Sequence, residues 1–179
     1  MIIKNGCVTL RAIEVRDAEL LLGMMNSPEI ERAIGGFSLP VNEAQQREWI
    51  DKYRNTEKQI RWMIELDNGC TIGVIMLFDI DMKNGTAEVG YKTMAEKDVR
   101  IKGDMDDAMQ GVLGYAFGEL RLNCVYAHAL VTNERSERML ERNGFSKEGV
   151  LRQRTFQNGS YVDMNVFSIL GNEFDTKAR

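Results

Sequence analysis

The sequence predicts an α/β (α+β) fold: a mixed central sheet of about seven strands with helices on both faces. Three observations lead there. Asp67-Asn68-Gly69, Lys83-Asn84-Gly85 and Asn158-Gly159 each separate two β-branched or apolar runs, which is the chemistry of hairpin turns. The helical run DDAMQGVLGYAF lies between two strand-like segments and supplies the long crossover that parallel neighbours need. A sheet that combines hairpins with a crossover has two faces to cover, so helices are expected on each.

Taken in order, Val8–Ala12 alternates well enough for a first strand. Asp17 is placed to cap the next helix, where AELLLGMMN carries apolar residues at helical spacing. Ser27-Pro28-Glu29 reads as a fresh helix start, with Ser27 as cap and Pro28 in the first turn. Asn42 opens a third helix, EAQQREWIDKYRN, with Trp49, Ile50 and Tyr53 on one face. Strands follow at Ile60–Leu66, Thr71–Ile80 and Thr86–Thr93, then the helix Asp104–Leu120 and a strand at Asn123–Val131. Glu134–Asn143 is a short helix stopped by Gly144, the expected C′ glycine. Gly149–Phe156 and Tyr161–Leu170 close the chain as a final hairpin.

Composition bounds the function. The 179 residues suit a single domain, 1–179, with its core at about 7–174, able to bury roughly two-thirds of the unfolded surface. The longest apolar runs, such as Val74–Phe78, are too short to span a bilayer, and MIIKNG lacks a signal-peptide core. Cys7, Cys70 and Cys124 are an odd number at wide spacing, which points to neither a disulfide framework nor a metal site. A reducing cytoplasm is the expected compartment. A net charge of −4 argues against a general nucleic-acid binder.

The segment carrying most chemistry is Arg100-Ile101-Lys102-Gly103-Asp104-Met105. It is a basic glycine turn that opens a helix, directly after the strand-like AEVGY. Such a turn aims backbone N–H groups and the positive end of the helix dipole at an anion, most often a phosphate. By itself the signal is weak, since a basic loop before a helix is common. Two later blocks are more specific: Asn133-Glu134-Arg135-Ser136 with Leu140-Glu141-Arg142-Asn143-Gly144-Phe145 and Glu148-Gly149-Val150-Leu151-Arg152, then Asn158-Gly159-Ser160-Tyr161-Val162-Asp163.

Together these three blocks resemble the GNAT superfamily of N-acetyltransferases, nearest to its RimJ/RimL-type branch, over about Cys7 to Phe174. Arg100 and Gly103 match the family's Q/R-x-x-G-x-G/A acyl-CoA signature, while Met105 stands where relatives carry glycine or alanine. The resemblance implies a GNAT fold with a splay between the fourth and fifth strands, acetyl-CoA as cosubstrate, and direct acetyl transfer to a primary amine. It implies that Val89, Gly90 and Tyr91 line the pantetheine, and that Arg100, Ile101, Lys102, Gly103, Asp104 and Met105 hold the pyrophosphate. It further implies that Asn133 bonds the cofactor's amide chain and that Ser136 gives a proton to the leaving thiolate. Many relatives use a tyrosine as that donor, but its position here is Leu140. Thr155 stands where some place a glutamate base, so Glu88, on the strand beside the cleft, is the expected base, acting through water. Tyr161 and Asp163 are expected at the substrate end of the last hairpin.

Bland readings stand beside these. Asn133 is a good helix cap in any fold, Ser136 could serve only its helix, and Asp163 could simply satisfy a turn. His128, the one histidine, shares a strand face with Tyr126 and Leu130 and reads as structural rather than as a base. Three acceptors are compatible: a protein N-terminal amine, which the RimJ/RimL-like block favours, a polyamine, or an amino sugar. Met105, Leu140 and Thr155 also suit an acyl-CoA-binding module of the same fold with weak or no turnover, or an interaction protein that binds no CoA. Homodimers are common in the family, though no apolar stripe in this sequence marks an interface.

Overall fold

The computed structural model describes residues 1–36, 39–94 and 101–174. Eight strands form one sheet in the order β1-β2-β3-β4-β5-β6-β8-β7. They are β1 (Ile3–Asn5), β2 (Val8–Arg11), β3 (Ile60–Leu66), β4 (Thr71–Asp81), β5 (Thr86–Thr93), β6 (Cys124–Leu130), β7 (Ser146–Gln157) and β8 (Ser160–Leu170). The helices are α1 (Ala18–Met25), α2 (Pro28–Ile34), α3 (Glu43–Lys52), α4 (Asp104–Gly118) and α5 (Glu134–Arg142). The strand beyond the expected seven is β1, three residues that pair with β2 around a turn at Gly6.

The hairpins form where the turn chemistry places them. Asn158 and Gly159 both have positive φ, 50° and 82°, the geometry of a tight two-residue turn that keeps the twist of β7 and β8 continuous. All strand pairs are antiparallel except β5–β6, which α4 crosses over to connect. Helix α4 buries Met105, Ala108, Met109, Val112, Leu113 and Ala116 against the larger core, which also takes in Met139 and Leu140 of α5. On the other face α1 and α3 cover a smaller cluster containing Leu21, Met24, Ile50, Met63 and Val74.

Helix caps follow the sequence in α2 and α3. The Ile30 N–H donates to the Ser27 hydroxyl at 3.3 Å, and Asn42 and Gln45 form a reciprocal capping box. Asp17 does something else. It precedes α1 but makes no side-chain cap bond; its carboxylate is buried and takes two 2.8 Å bonds from Arg11 and one from the Glu14 N–H. Arg11 also donates to Glu65 at 2.6 Å and Thr71 at 3.0 Å, so one buried guanidinium fastens β2, β3, β4 and the turn before α1. Trp49 and Tyr53 pack together at the end of α3. They stack at 4.7 Å, and the Arg61 guanidinium lies 5.4 Å from each ring.

Removing one member of a buried ion pair strands the other, at a cost of about 3–5 kcal/mol. Asp17→Ala is therefore expected to lower unfolding free energy by about that amount in urea titrations, with Glu65 and Thr71 retaining only part of the Arg11 contacts.

Candidate active site

The parallel ladder between β5 and β6 runs for three residue pairs, Thr86–Cys124, Ala87–Val125 and Glu88–Tyr126, and then stops. Beyond it β5 continues to Thr93 and β6 to Leu130 with no strand between them among the described residues. The strands diverge, and a cleft of about 820 Å³ opens in the gap.

Strand alternation gives this cleft two differently built arms. Glu88, Gly90 and Lys92 lie opposite Phe78, Met76 and Val74 of β4, and Val74 and Met76 pack with the α1–α3 cluster. These three therefore face the α1–α3 side, where α2 adds Glu29, Ile30 and Ala33 to the lining. Val89 and Tyr91 lie opposite Leu77 and Ile75 and face the α4–α5 side. A Cβ at Gly90 would come 3.0 Å from the Phe78 ring, so glycine lets that ring pack against β5 in the cleft wall.

On the α4–α5 side, the Tyr91 hydroxyl and Ser136 Oγ are 3.1 Å apart. Asn133 caps α5 by accepting from the Ser136 N–H at 3.1 Å, and its amide donates to the Ala33 carbonyl at 2.9 Å. Its side chain thus ties α2 to α5 as well as ending a helix. On the opposite side, His128 Nδ1 lies 2.8 Å from Glu88 Oε1 across the mouth of the splay. Burial pushes the Glu88 carboxyl above the usual range, and the bond to His128 pulls part of that back. Asp79, in a β4 bulge at φ 51°, adds to the upward push. Sequence reading left His128 out of the site. The signal available was its position two residues past Tyr126, which shares a strand face with it.

Helix α4 begins at Gly103, whose φ of 94° accounts for glycine there, with open space where a side chain would be. Asp104 is buried and accepts from the Ile101 N–H at 3.2 Å, so it shapes the turn. Met105 is buried with the core. The two acids that follow are already engaged. Asp106 accepts from Arg142 at 3.2 Å and from Asn143 at 2.8 Å, and Asp107 accepts from the Cys7 N–H at 2.9 Å. A Cβ at Gly6 would fall 2.0 Å from that Asp107 carboxylate and displace it, and the φ of 52° there also favours glycine in the β1–β2 turn. Exposed Lys102, Arg135, Arg138 and Arg142 line the mouth around this helix end. An open glycine at a helix N-terminus ringed by cations fits a pyrophosphate. Arg100 lies outside the described residues.

The two residues expected to meet substrate stand apart from the cleft lining. Asp163 accepts from the Gln153 N–H at 2.7 Å and so stabilises a bulge in β7 where Gln153 has φ 49°. Tyr161 is exposed at the hairpin tip, edge-on to Phe156 at 5.2 Å. Thr155 donates to the Met164 sulfur at 3.2 Å, and Leu140 is buried in the core.

The splayed sheet thus has a cationic helix end on one side of the gap and a carboxylate–imidazole pair on the other. Residues 8–146 match the family model described as Acetyltransferase (GNAT) domain, and the chain belongs to that family. It is an N-acetyltransferase, an acyltransferase whose family draws on acetyl-CoA. The uncharacterised N-acetyltransferase YoaA of Bacillus subtilis strain 168 is 33% identical over 173 residues, covering 94% of this chain and 96% of YoaA. The ribosomal-protein-serine acetyltransferase of Escherichia coli K12 is 34% identical over 99 residues, covering 54% of this chain and 53% of that protein. Among solved structures, Vibrio cholerae spermidine N-acetyltransferase in complex with CoA and spermine superposes with a TM-score of 0.83 at 25% identity. It covers 95% of this chain and 99% of that one. Among the described residues no helix is long and apolar enough to cross a membrane.

A carboxyl raised by burial favours the fold most when it is protonated. That contribution is fully present below the unfolded carboxyl pKa and is lost as pH rises through the folded one. Glu88→Gln is therefore expected to melt above wild type near pH 7, the gap closing as pH approaches 4. Melting curves across that range check it; equal melting temperatures at both ends would contradict it.

Proposed function

We propose that the chain transfers the acetyl group of acetyl-CoA to a primary amine in the manner of the RimJ/RimL-type branch, with residues 1–179 acting as one catalytic domain. The observation that carries this reading is the halt of the β5–β6 ladder at Glu88. It leaves strand edge for a pantetheine chain to lie along and opens a passage from one face of the sheet to the other. When bound, acetyl-CoA supplies the activated acetyl thioester. Val89, Gly90 and Tyr91 border its chain, while Ile101–Met105, Lys102 above all, together with Arg100, hold the phosphates; Asn133 keeps α5 in place beside it. Ser136, in contact with the Tyr91 hydroxyl, gives the proton that the departing thiolate needs. The Glu88–His128 pair supplies the proton-accepting function on the opposite face, where the amine enters.

Among acceptors, a protein N-terminal amine is the best match. Glu29 and Glu88 can draw an ammonium into the α2 side of the cleft, but the same arm contains Lys92. Lys92 is half-buried, its ammonium held below the ordinary range by desolvation and then by Arg61, with Glu31 acting against them. A polyamine sets a second cation against Lys92, whereas a peptide offers carbonyl oxygens that accept from it. The relative named for acting on a ribosomal-protein serine agrees with this choice, and the relative named for spermidine marks the alternative.

Two measurements test the reading. Acetyl-CoA and CoA, but not ATP, should raise the melting temperature, because ligand at 100 times its Kd adds about 2.7 kcal/mol. No shift at millimolar acetyl-CoA would sink it. Thiol release should then be faster with a short peptide bearing a free N-terminal serine than with spermidine. Lys92→Glu should narrow that ratio at least about tenfold, the size expected when one close charge changes sign. A spermidine preference in the wild type would reassign the acceptor.

A further inference from the structure

We infer that His128, through its Nε2 lone pair, is the group that takes the acceptor's proton, and that Glu88 is a positioning residue holding the imidazole in the Nδ1–H tautomer. This deepens the acetyl-transfer reading and rests on it.

The geometry assigns the two parts. Glu88 is the last β5 residue in the ladder, and His128 lies two residues beyond Glu88's partner Tyr126, at the first point on that face where β6 has left β5. Both line the cleft. Their contact, 2.8 Å between Nδ1 and Oε1, needs a hydrogen, and an ionised carboxylate can only accept one. The hydrogen therefore belongs to Nδ1, which leaves Nε2 with a lone pair. No hydrogen bond occupies Nε2 among the described residues. The Glu88 oxygen is committed to the imidazole, and its side chain is less exposed than that of His128, 17% against 25%. An imidazole is also the better base by type, since its ordinary pKa of about 6.5 is nearer neutrality than a carboxylate's value of about 4.3.

The charged and titratable groups around the imidazole come from several elements. Glu88 is on β5, Asp79 in the β4 bulge, Glu29 on α2 and Lys92 further along β5. Tyr126 meets His128 edge-on at 5.7 Å on its own strand, and Val166 of β8 lies opposite.

The proton ledger closes without another reactant. An incoming ammonium gives one proton to Nε2, and the freed nitrogen lone pair forms the C–N bond as the C–S bond breaks. The second proton leaves the nitrogen to solvent as the amide forms, and solvent returns one to Ser136 in place of the proton it passes to the thiolate. The imidazolium returns its proton to water.

The chain contains one histidine, so its ring nitrogens are readable by 15N NMR without assignment ambiguity. The neutral form should show Nδ1 protonated and Nε2 bare; the opposite tautomer overturns the inference. His128→Asn keeps a donor toward Glu88 but has no Nε2. It should lower kcat/KM at least about 100-fold, the scale of general-base catalysis, while the acetyl-CoA melting shift stays. The acid limb of the wild-type pH profile should coincide with the NMR titration and vanish in His128→Asn. Glu88→Gln still accepts from Nδ1, so it should lose at least about tenfold less than His128→Asn within the same range. The reverse order makes Glu88 the base and overturns the assignment, as does His128→Asn within threefold of wild type. A wild type that releases no thiol with any amine overturns the acetyl-transfer reading itself, which the tautomer result does not address.

Discussion

The rest of the structure depends on an interruption of hydrogen bonding. Between β5 and β6 the parallel ladder ends after three pairs, although both strands run on for several residues. A continuous sheet would satisfy those edges and close the passage between the two faces. The gap persists because each strand is secured on its other side. β5 is paired with β4 as far as Thr93, and β6 with β8 along its whole length. Two halves of one sheet are thereby held at fixed positions with an opening between them. The strands that bound this opening owe their places to partners outside it.

The helix end beside the gap, the phosphate site of the proposed reading, has three acids in its first turn. Asp104, Asp106 and Asp107 all favour the α4 dipole, yet each would oppose a phosphate if left facing it. Asp107 turns toward the β1–β2 turn, Asp106 is matched by Arg142 and Asn143, and Asp104 is buried under Ile101. The acids strengthen the helix start while Lys102 and the α5 arginines face the mouth. Met105 follows the same logic. Its bulk, at a position where the resembled family carries glycine or alanine, packs with Met109 and Ala108 in the core while still bordering the cleft.

Much of this was legible locally, and what was not depended on distant partners. Asn-Gly and Asp-Asn-Gly turns, the Ser27 and Asn42 caps and the Gly144 stop are short-range chemistry, and the hairpins and helix bounds follow them closely. Asp17 has the right residue type and place for a cap, but Arg11, six residues earlier, claims its carboxylate. Strand β1 is too short for any periodicity to reveal, and its register is fixed by Asp107, a hundred residues away. The cleft was legible as strands and a glycine turn. Its electrostatics were not, since the Glu88–His128 contact joins residues forty apart through a register that no local pattern encodes. The Asn158–Asp163 block was equally easy to read, but there recognition of the turn did not reveal what its side chains touch.

On the proposed reading the sheet also separates two proton-handling groups that would otherwise interfere. An acid and a base in direct contact exchange a proton with each other, and neither is then set for its own step. Here the Ser136–Tyr91 pair lies on the α4–α5 face and the Glu88–His128 pair on the α1–α3 face, with the backbone of β5 between them. Because Glu88 and Tyr91 are odd and even positions of one strand, that separation is inherent in β geometry and needs no further device. On the proposed reading, amine and thioester meet only in the gap. The deprotonating group then acts from the amine's side and the protonating group from the sulfur's side. On that reading one broken ladder provides the passage, the strand edge beside it and the opposed placement of acid and base.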